Sequence, residues 1–152
     1  MRAKIDGIDF LGANELYAQH ANGILAIAAR DRDGRTIHIT VLNTLKPATV
    51  DIGKGSPNSA VTALREAFWR SNIEGGTGSV TVTRVGAFGA QGTFTFTAIA
   101  VPNTKATGAR TVSGQFNVVY QLSEGSNFGT NAVQYASLAP APHIMDARPA
   151  LF

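Results

Sequence analysis

The sequence predicts an all-β fold, an antiparallel β-sandwich with an extended C-terminal tail, and three observations carry that expectation. Apolar and hydroxyl residues alternate with period two through several segments, as in strands that bury one face and show the other to water. Glycine supplies 16 of the 152 residues and stands with Asn, Asp and Pro between those segments, where tight turns need it. Charged residues are only 15% of the chain, too few for the solvated faces of long helices. Without such helices the crossovers of a parallel sheet are not available, so the strands should be antiparallel.

Taken in order, Arg2 to Phe10 begins as a short strand broken at Gly7, Leu16 to Gln19 reads as another, and Asn22-Gly23 offers a tight turn. Gly23 to Arg30 and Thr36 to Leu42 flank Asp31-Arg32-Asp33-Gly34, and an Asp-Gly pair between two such runs predicts a hairpin. In its second arm Ile37, Ile39 and Val41 face one way and Thr36, His38 and Thr40 the other, which puts His38 on the solvent side. Ser59 to Arg70 is ambiguous. As a helix it aligns Val61, Leu64, Ala67 and Phe68, with Pro57-Asn58-Ser59 as the start; as one strand it would bury Arg65 beside Val61, Ala63, Ala67 and Trp69. The local pattern favours the helix. Three strands then follow: Val80 and Val82 alternate with Ser79, Thr81 and Thr83, Phe94, Phe96, Ala98 and Ala100 with Thr93, Thr95 and Thr97, and Val112, Phe116, Val118 and Tyr120 share a face with Gly114. Gly86 to Gln91 and Pro102 to Gly108 connect them. The predicted core is Val80, Val82, Phe94, Phe96, Phe116 and Val118.

After Tyr120 the alternation decays, and Pro140, Pro142 and Pro149 disfavour a regular element near the end. Phe128, Val133, Tyr135, Leu138, Ile144, Met145, Leu151 and Phe152 are too apolar to be left in water. Residues 1–120 therefore read as the β-sandwich domain and residues 121–152 as an extension that packs on that domain or on a neighbouring subunit. In the second case those eight side chains form an assembly segment, able to complete a neighbour's sheet by strand addition.

Chemistry is harder to place. His20, His38 and His143 have no second ligand at metal-site spacing, and the chain contains no cysteine, so neither a metal site nor a thiol or disulfide is predicted. Asp31-x-Asp33-Gly34 is too short of acids for a calcium loop, and the Gly75-Gly76-Thr77-Gly78-Ser79 run lacks the lysine and following helix of a phosphate cradle. No nucleophile elbow or triad order is present, so no catalytic residue and no cofactor is assigned. The net charge of +3 is spread out, with Asp31 and Asp33 between Arg30, Arg32 and Arg35, which argues against nucleic acid. No run of apolar residues is long enough to cross a membrane, and the chain as given opens without a signal peptide. Trp69, Tyr17, Tyr120 and Tyr135 could stack on sugars if exposed, although rings of this kind usually serve the core.

Gly78-Ser79-Val80-Thr81-Val82-Thr83, Gln91-Gly92-Thr93-Phe94-Thr95-Phe96-Thr97-Ala98 and Val112-Ser113-Gly114-Gln115-Phe116-Asn117-Val118, in that order, resemble the small β-sandwich domain of unknown function found in bacterial lipoproteins and secreted proteins. Arg2 to Gly7, Gly23 to Ala28 and Ile37 to Val41 are similar to its usual beginning, so the resemblance covers residues 2 to 120. It implies a strand over Ser59 to Arg70, the reading adopted here. It also implies a non-catalytic structural protein, extracellular or at the cell surface, although the chain lacks a lipid-attachment cysteine. Self-association into filaments or other oligomers, through the tail and the sheet edges, is the expected partnership. A carbohydrate- or ligand-binding module, with surface polysaccharide as partner, is the alternative, and a hydrolase with an unrecognised site a second one.

Overall fold

In the computed structural model, which describes residues 1–121, two-residue turns set the register of the first half of the chain. Strands β1 (Arg2–Ile5) and β2 (Ile8–Leu11) meet at Asp6-Gly7, and β3 (Glu15–Ala21) and β4 (Ile24–Arg30) at Asn22-Gly23. Both residues of each turn have positive φ, 50° and 81° in the first and 51° and 75° in the second. That backbone matches the right-handed twist of the flanking strands, and Asn, Asp and Gly adopt it at the least steric cost. Strand β5 (Arg35–Val41) follows the Asp31 turn as expected. There the buried Asp31 carboxylate accepts the Asp33 and Arg35 backbone N–H groups at 3.0 and 2.9 Å and the Arg35 Nε–H at 2.7 Å.

Ser59 to Arg70 is neither the helix that the local pattern favours nor one continuous strand. It is a hairpin of β7 (Ser59–Leu64) and β8 (Ala67–Arg70), turning at Arg65, whose φ is 53°. The turn reverses the chain, so Arg65 is exposed rather than buried, and β7 pairs with β5 over six residues. Strand β6 (Ala48–Asp51) pairs with β9 (Thr77–Val85), and β10 (Gly89–Ala100) and β11 (Ala109–Val119) complete the described elements. Strand β10 starts earlier than expected, so Gly89, Ala90 and Gln91 belong to the sheet rather than to the connection.

All pairings are antiparallel, and they join the eleven strands into one sheet that curls into a half-barrel. Its path is β2-β1-β11-β10-β8-β7-β5-β4-β3, with β9 and β6 branching from β10. The branch exists because β10 is long: Ala90 to Thr97 pair with β9, and Ile99 and Ala100 pair with β8. The sheet therefore has two flanks, β6-β9-β10-β11-β1-β2 and β3-β4-β5-β7-β8, which curl over one core. Val80, Val82, Phe94, Phe96, Phe116 and Val118 lie in that core as expected, against Leu25, Ile27, Ile37, Ile39 and Val41 of the other flank. Gly92 keeps a hole in the pleat: a Cβ there would collide with the Phe116 ring and the Thr81 carbonyl, so the ring lies directly on the β10 backbone. At the far end the Gln121 N–H donates to the Ala18 carbonyl at 2.9 Å, which brings β3 back beside the end of β11.

The placement of His38 on a solvent face is corrected by the structure. The imidazole is 3% exposed, and Thr36 and Thr40, on the same side of β5, are buried with it. Alternation placed these three residues opposite the isoleucines, which holds, but that side of this flank is not open to water.

Candidate assembly surface and ligand recess

The predicted assembly segment, Phe128, Val133, Tyr135, Leu138, Ile144, Met145, Leu151 and Phe152, lies outside the described residues. The surface it would have to meet can be read directly. Sheet edges are the first place to look, since an edge strand shows unpaired backbone groups to any passing chain. Here β2 and β6 are four residues long and β3 seven, and all three are partly occupied. The Asp9 carbonyl of β2 accepts the Arg35 guanidinium at 2.6 Å, and the Asp51 carbonyl of β6 accepts Ser56 Oγ–H at 2.6 Å and the Asn58 amide at 2.9 Å. On β3, Gln121 takes the Ala18 carbonyl through its backbone, and its side-chain amide donates to the Leu16 carbonyl at 3.4 Å.

Apolar side chains are a different matter. Phe88, in the β9–β10 turn, is 81% exposed, and Val119, at the end of β11, is 68% exposed. They belong to one corner: Val119 pairs with Gly89, and the Tyr120 N–H donates to the Phe88 carbonyl at 2.8 Å. Val85 lies half-buried on the strand beside them. Turn tips in water are normally polar, and Phe88 is held out on a hydrogen-bonded turn, as Leu45, 79% exposed, is in the β5–β6 connection. The corner directly precedes Gln121, where the tail begins.

At the opposite end of β11 a recess of about 170 Å³ opens between the flanks, lined by Ile5, Ile8, Leu64, Trp69, Arg35 and Arg110. Its floor is Trp69, 5% exposed, whose indole N–H donates to the Thr107 carbonyl at 3.1 Å. Arg110 lies over the indole with its guanidinium carbon 4.5 Å from the ring centroid. Asp6 holds it there, accepting from Arg110 at 2.5 Å and from the Thr111 backbone N–H at 2.8 Å. Partial burial by itself would raise the Asp6 carboxyl, but these hydrogen bonds, with the Arg110 charge, hold it below the ordinary carboxylate range. Arg35, on the other side of the recess, is fixed by Asp31. The recess thus offers an apolar floor with two preorganised guanidinium groups at its rim.

The described rings do not make the sugar platform considered from sequence. Trp69 is buried under Arg110, while Tyr17 and Tyr120 are half-buried, Tyr120 stacked on His20 with centroids 5.6 Å apart. Tyr135 lies outside the described residues. Among the described residues no three His, Cys, Asp or Glu side chains gather as a metal site, and no helix is long and apolar enough to cross a membrane.

The family model described as Domain of unknown function (DUF6252) matches residues 1–123. The chain belongs to this family. The span matched by the DUF6252 model takes in all eleven described strands, both guanidinium groups of the recess and the Phe88–Val119 corner. No curated protein and no solved structure matches the chain. Neither the corner nor the recess is singled out by the sequence: Phe88 stands in a Gly-rich connection, which signals only a turn, and Trp69, Arg110 and Asp6 are brought together from three distant segments.

Proposed function

We propose that this DUF6252 protein is a non-catalytic structural protein, extracellular or at the bacterial cell surface, that associates with copies of itself. The fuller architecture in this reading is a sandwich whose two flanks close over the core, with residues 121–152 as its extension. One observation carries the proposal: the Phe88–Val119 corner presents large apolar side chains on a hydrogen-bonded turn. Two acids among the described residues, the buried Asp31 and Asp6 at the recess, support the non-catalytic part, because each is committed to an arginine and to backbone N–H groups. Of the two placements of the tail, only packing on a neighbour would make it an assembly element, and the corner stands independently of that choice.

Sedimentation velocity of the full chain over a wide concentration range tests this. Self-association that is lost in Phe88→Ser and Val119→Thr, with circular dichroism unchanged, is the expected result. A full-length protein that stays monomeric throughout would show the proposal to be wrong. A ligand-binding module is the second reading, favoured by the recess at Trp69. Its apolar floor and guanidinium rim suit a small molecule with an apolar body and an anionic group, and Trp69 fluorescence would report such a ligand directly.

A further inference from the structure

Ile8 of β2 and Leu64 of β7 are both exposed, and they line the recess from opposite flanks, with Ile5 and Trp69 buried in the same lining. An apolar body placed there touches side chains of both flanks and removes their surface from water. Size restricts what that body is. The recess, about 170 Å³, is smaller than the roughly 300–1,000 Å³ pockets of drug-sized ligands and close to the roughly 150 Å³ cavity that holds one benzene ring. It takes a single ring or a chain of about six carbons, not a sterol or a long acyl chain.

The two arginines differ in what they leave free. Arg35 donates through Nε to Asp31 and through Nη2 to the Asp9 carbonyl of β2, so its guanidinium is a strut between the flanks. Arg110 gives only Nη1 to Asp6, and its Nε and Nη2 hydrogens have no partner among the described residues. Those hydrogens lie on one edge of the guanidinium, an edge that matches the two oxygens of a carboxylate in parallel N–H···O bonds. The edge is already oriented. The indole lies beneath Arg110 at 4.5 Å, and the Asp6 carboxylate that holds it is itself fixed by the Thr111 N–H, so little ordering is left for binding to supply.

Charge decides the kind of anion. Each guanidinium has its own carboxylate, Asp6 or Asp31, so the two pairs sum to zero before a ligand arrives, and Asp33, 3.6 Å from Arg35, adds a further negative charge. A site with no excess positive charge does not replace the strong hydration of a phosphate dianion, and it favours a single delocalised charge.

We infer that the recess binds small monocarboxylates, with the carboxylate on the Nε–Nη2 edge of Arg110 and a ring or short chain against Ile5, Ile8, Leu64 and Trp69. The inference rests on the ligand-module reading and adds to it the chemical class of the ligand. It is independent of self-association at the Phe88–Val119 corner.

Hexanoate is the probe, with 1-hexanol, acetate and inorganic phosphate as comparisons, and the Arg110 Nε–H and Trp69 indole N–H resonances of the full chain are followed by NMR. Hexanoate should shift both to saturation and bind about tenfold more tightly than the other three, because it alone engages the apolar lining and the guanidinium edge together. Arg110→Lys keeps the charge but loses the paired donors, and should weaken hexanoate about tenfold while leaving hexanol unchanged. The comparison of probes needs no variant, and Ile8→Asn, at an exposed position, adds a second one that should weaken hexanoate and hexanol alike. Hexanol or phosphate bound as tightly as hexanoate, or a hexanoate affinity untouched by either substitution, overturns the carboxylate assignment while leaving the recess as a ligand site. If none of the four probes moves the Trp69 indole resonance, the ligand-module reading falls together with the inference.

Discussion

Lowering the pH from 7 to 5 should weaken this protein through His38, and replacing that histidine should remove the effect. Burial strips water from the imidazolium, and the Arg30 charge opposes it further, so the His38 pKa falls from the ordinary 6.5 to about 4. Tyr17 of β3 and Arg70 of β8 share its row, which adds no acid to stabilise a proton. The folded value lies below the unfolded one, so between pH 4 and 6.5 the unfolded chain binds the proton that the folded chain refuses. Stability is therefore complete above about pH 6.5 and is lost as the pH falls, by 1.36 kcal/mol for each pH unit between the two values. At pH 5 the loss from this one site is about 2 kcal/mol, a large fraction of the stability of an ordinary domain. Urea unfolding followed by Trp69 fluorescence at pH 7 and pH 5 measures it, with His38→Gln as the comparison. His20 and His143 are common to both proteins and cancel in the difference. Equal pH dependence in the two proteins, or a His38 imidazole that titrates near 6.5 by NMR, would show that the buried His38 does not weaken the fold as the pH falls.

Other outcomes follow from the core and the glycine beneath Phe116. Phe94→Ala empties a buried ring site between the flanks and should cost about 3–5 kcal/mol in chemical denaturation. Gly92→Ala places a methyl group against the Phe116 ring and the Thr81 carbonyl, and should cost about 1–3 kcal/mol despite being the smallest possible addition; the same change at Gly86, where a Cβ meets nothing within 4 Å, should be nearly silent. The single tryptophan is buried and hydrogen-bonded, so its emission should be blue-shifted and poorly quenched by acrylamide in the folded state. Arg110→Ala, which uncovers the indole, should increase quenching while leaving the denaturation midpoint little changed, because the Arg110–Asp6 pair is substantially exposed.

What the sequence determined by itself is local. The alternation of valine and phenylalanine with threonine from Ser79 to Val118 specifies β9, β10 and β11 and names their buried face, because a period of two is a property of the strand alone. Asn22-Gly23 and Asp31 to Gly34 likewise announce their hairpins through the backbone conformations that those residues tolerate. Ser59 to Arg70 marks where such reading stops: its Ala, Leu, Arg and Glu suit a helix, and Arg65 takes a positive φ without being Gly, Asn or Asp, so no turn is announced. Pairing of β7 with β5 and of β8 with β10, partners far away in the chain, overrides a helical preference worth only tenths of a kcal/mol per residue. The meeting of Asp6, Trp69 and Arg110, the branch at β10 and the burial of His38 are of the same kind. Each depends on which strands become neighbours and what lies over them, and that is decided by long-range burial of whole faces, which no short window of sequence contains.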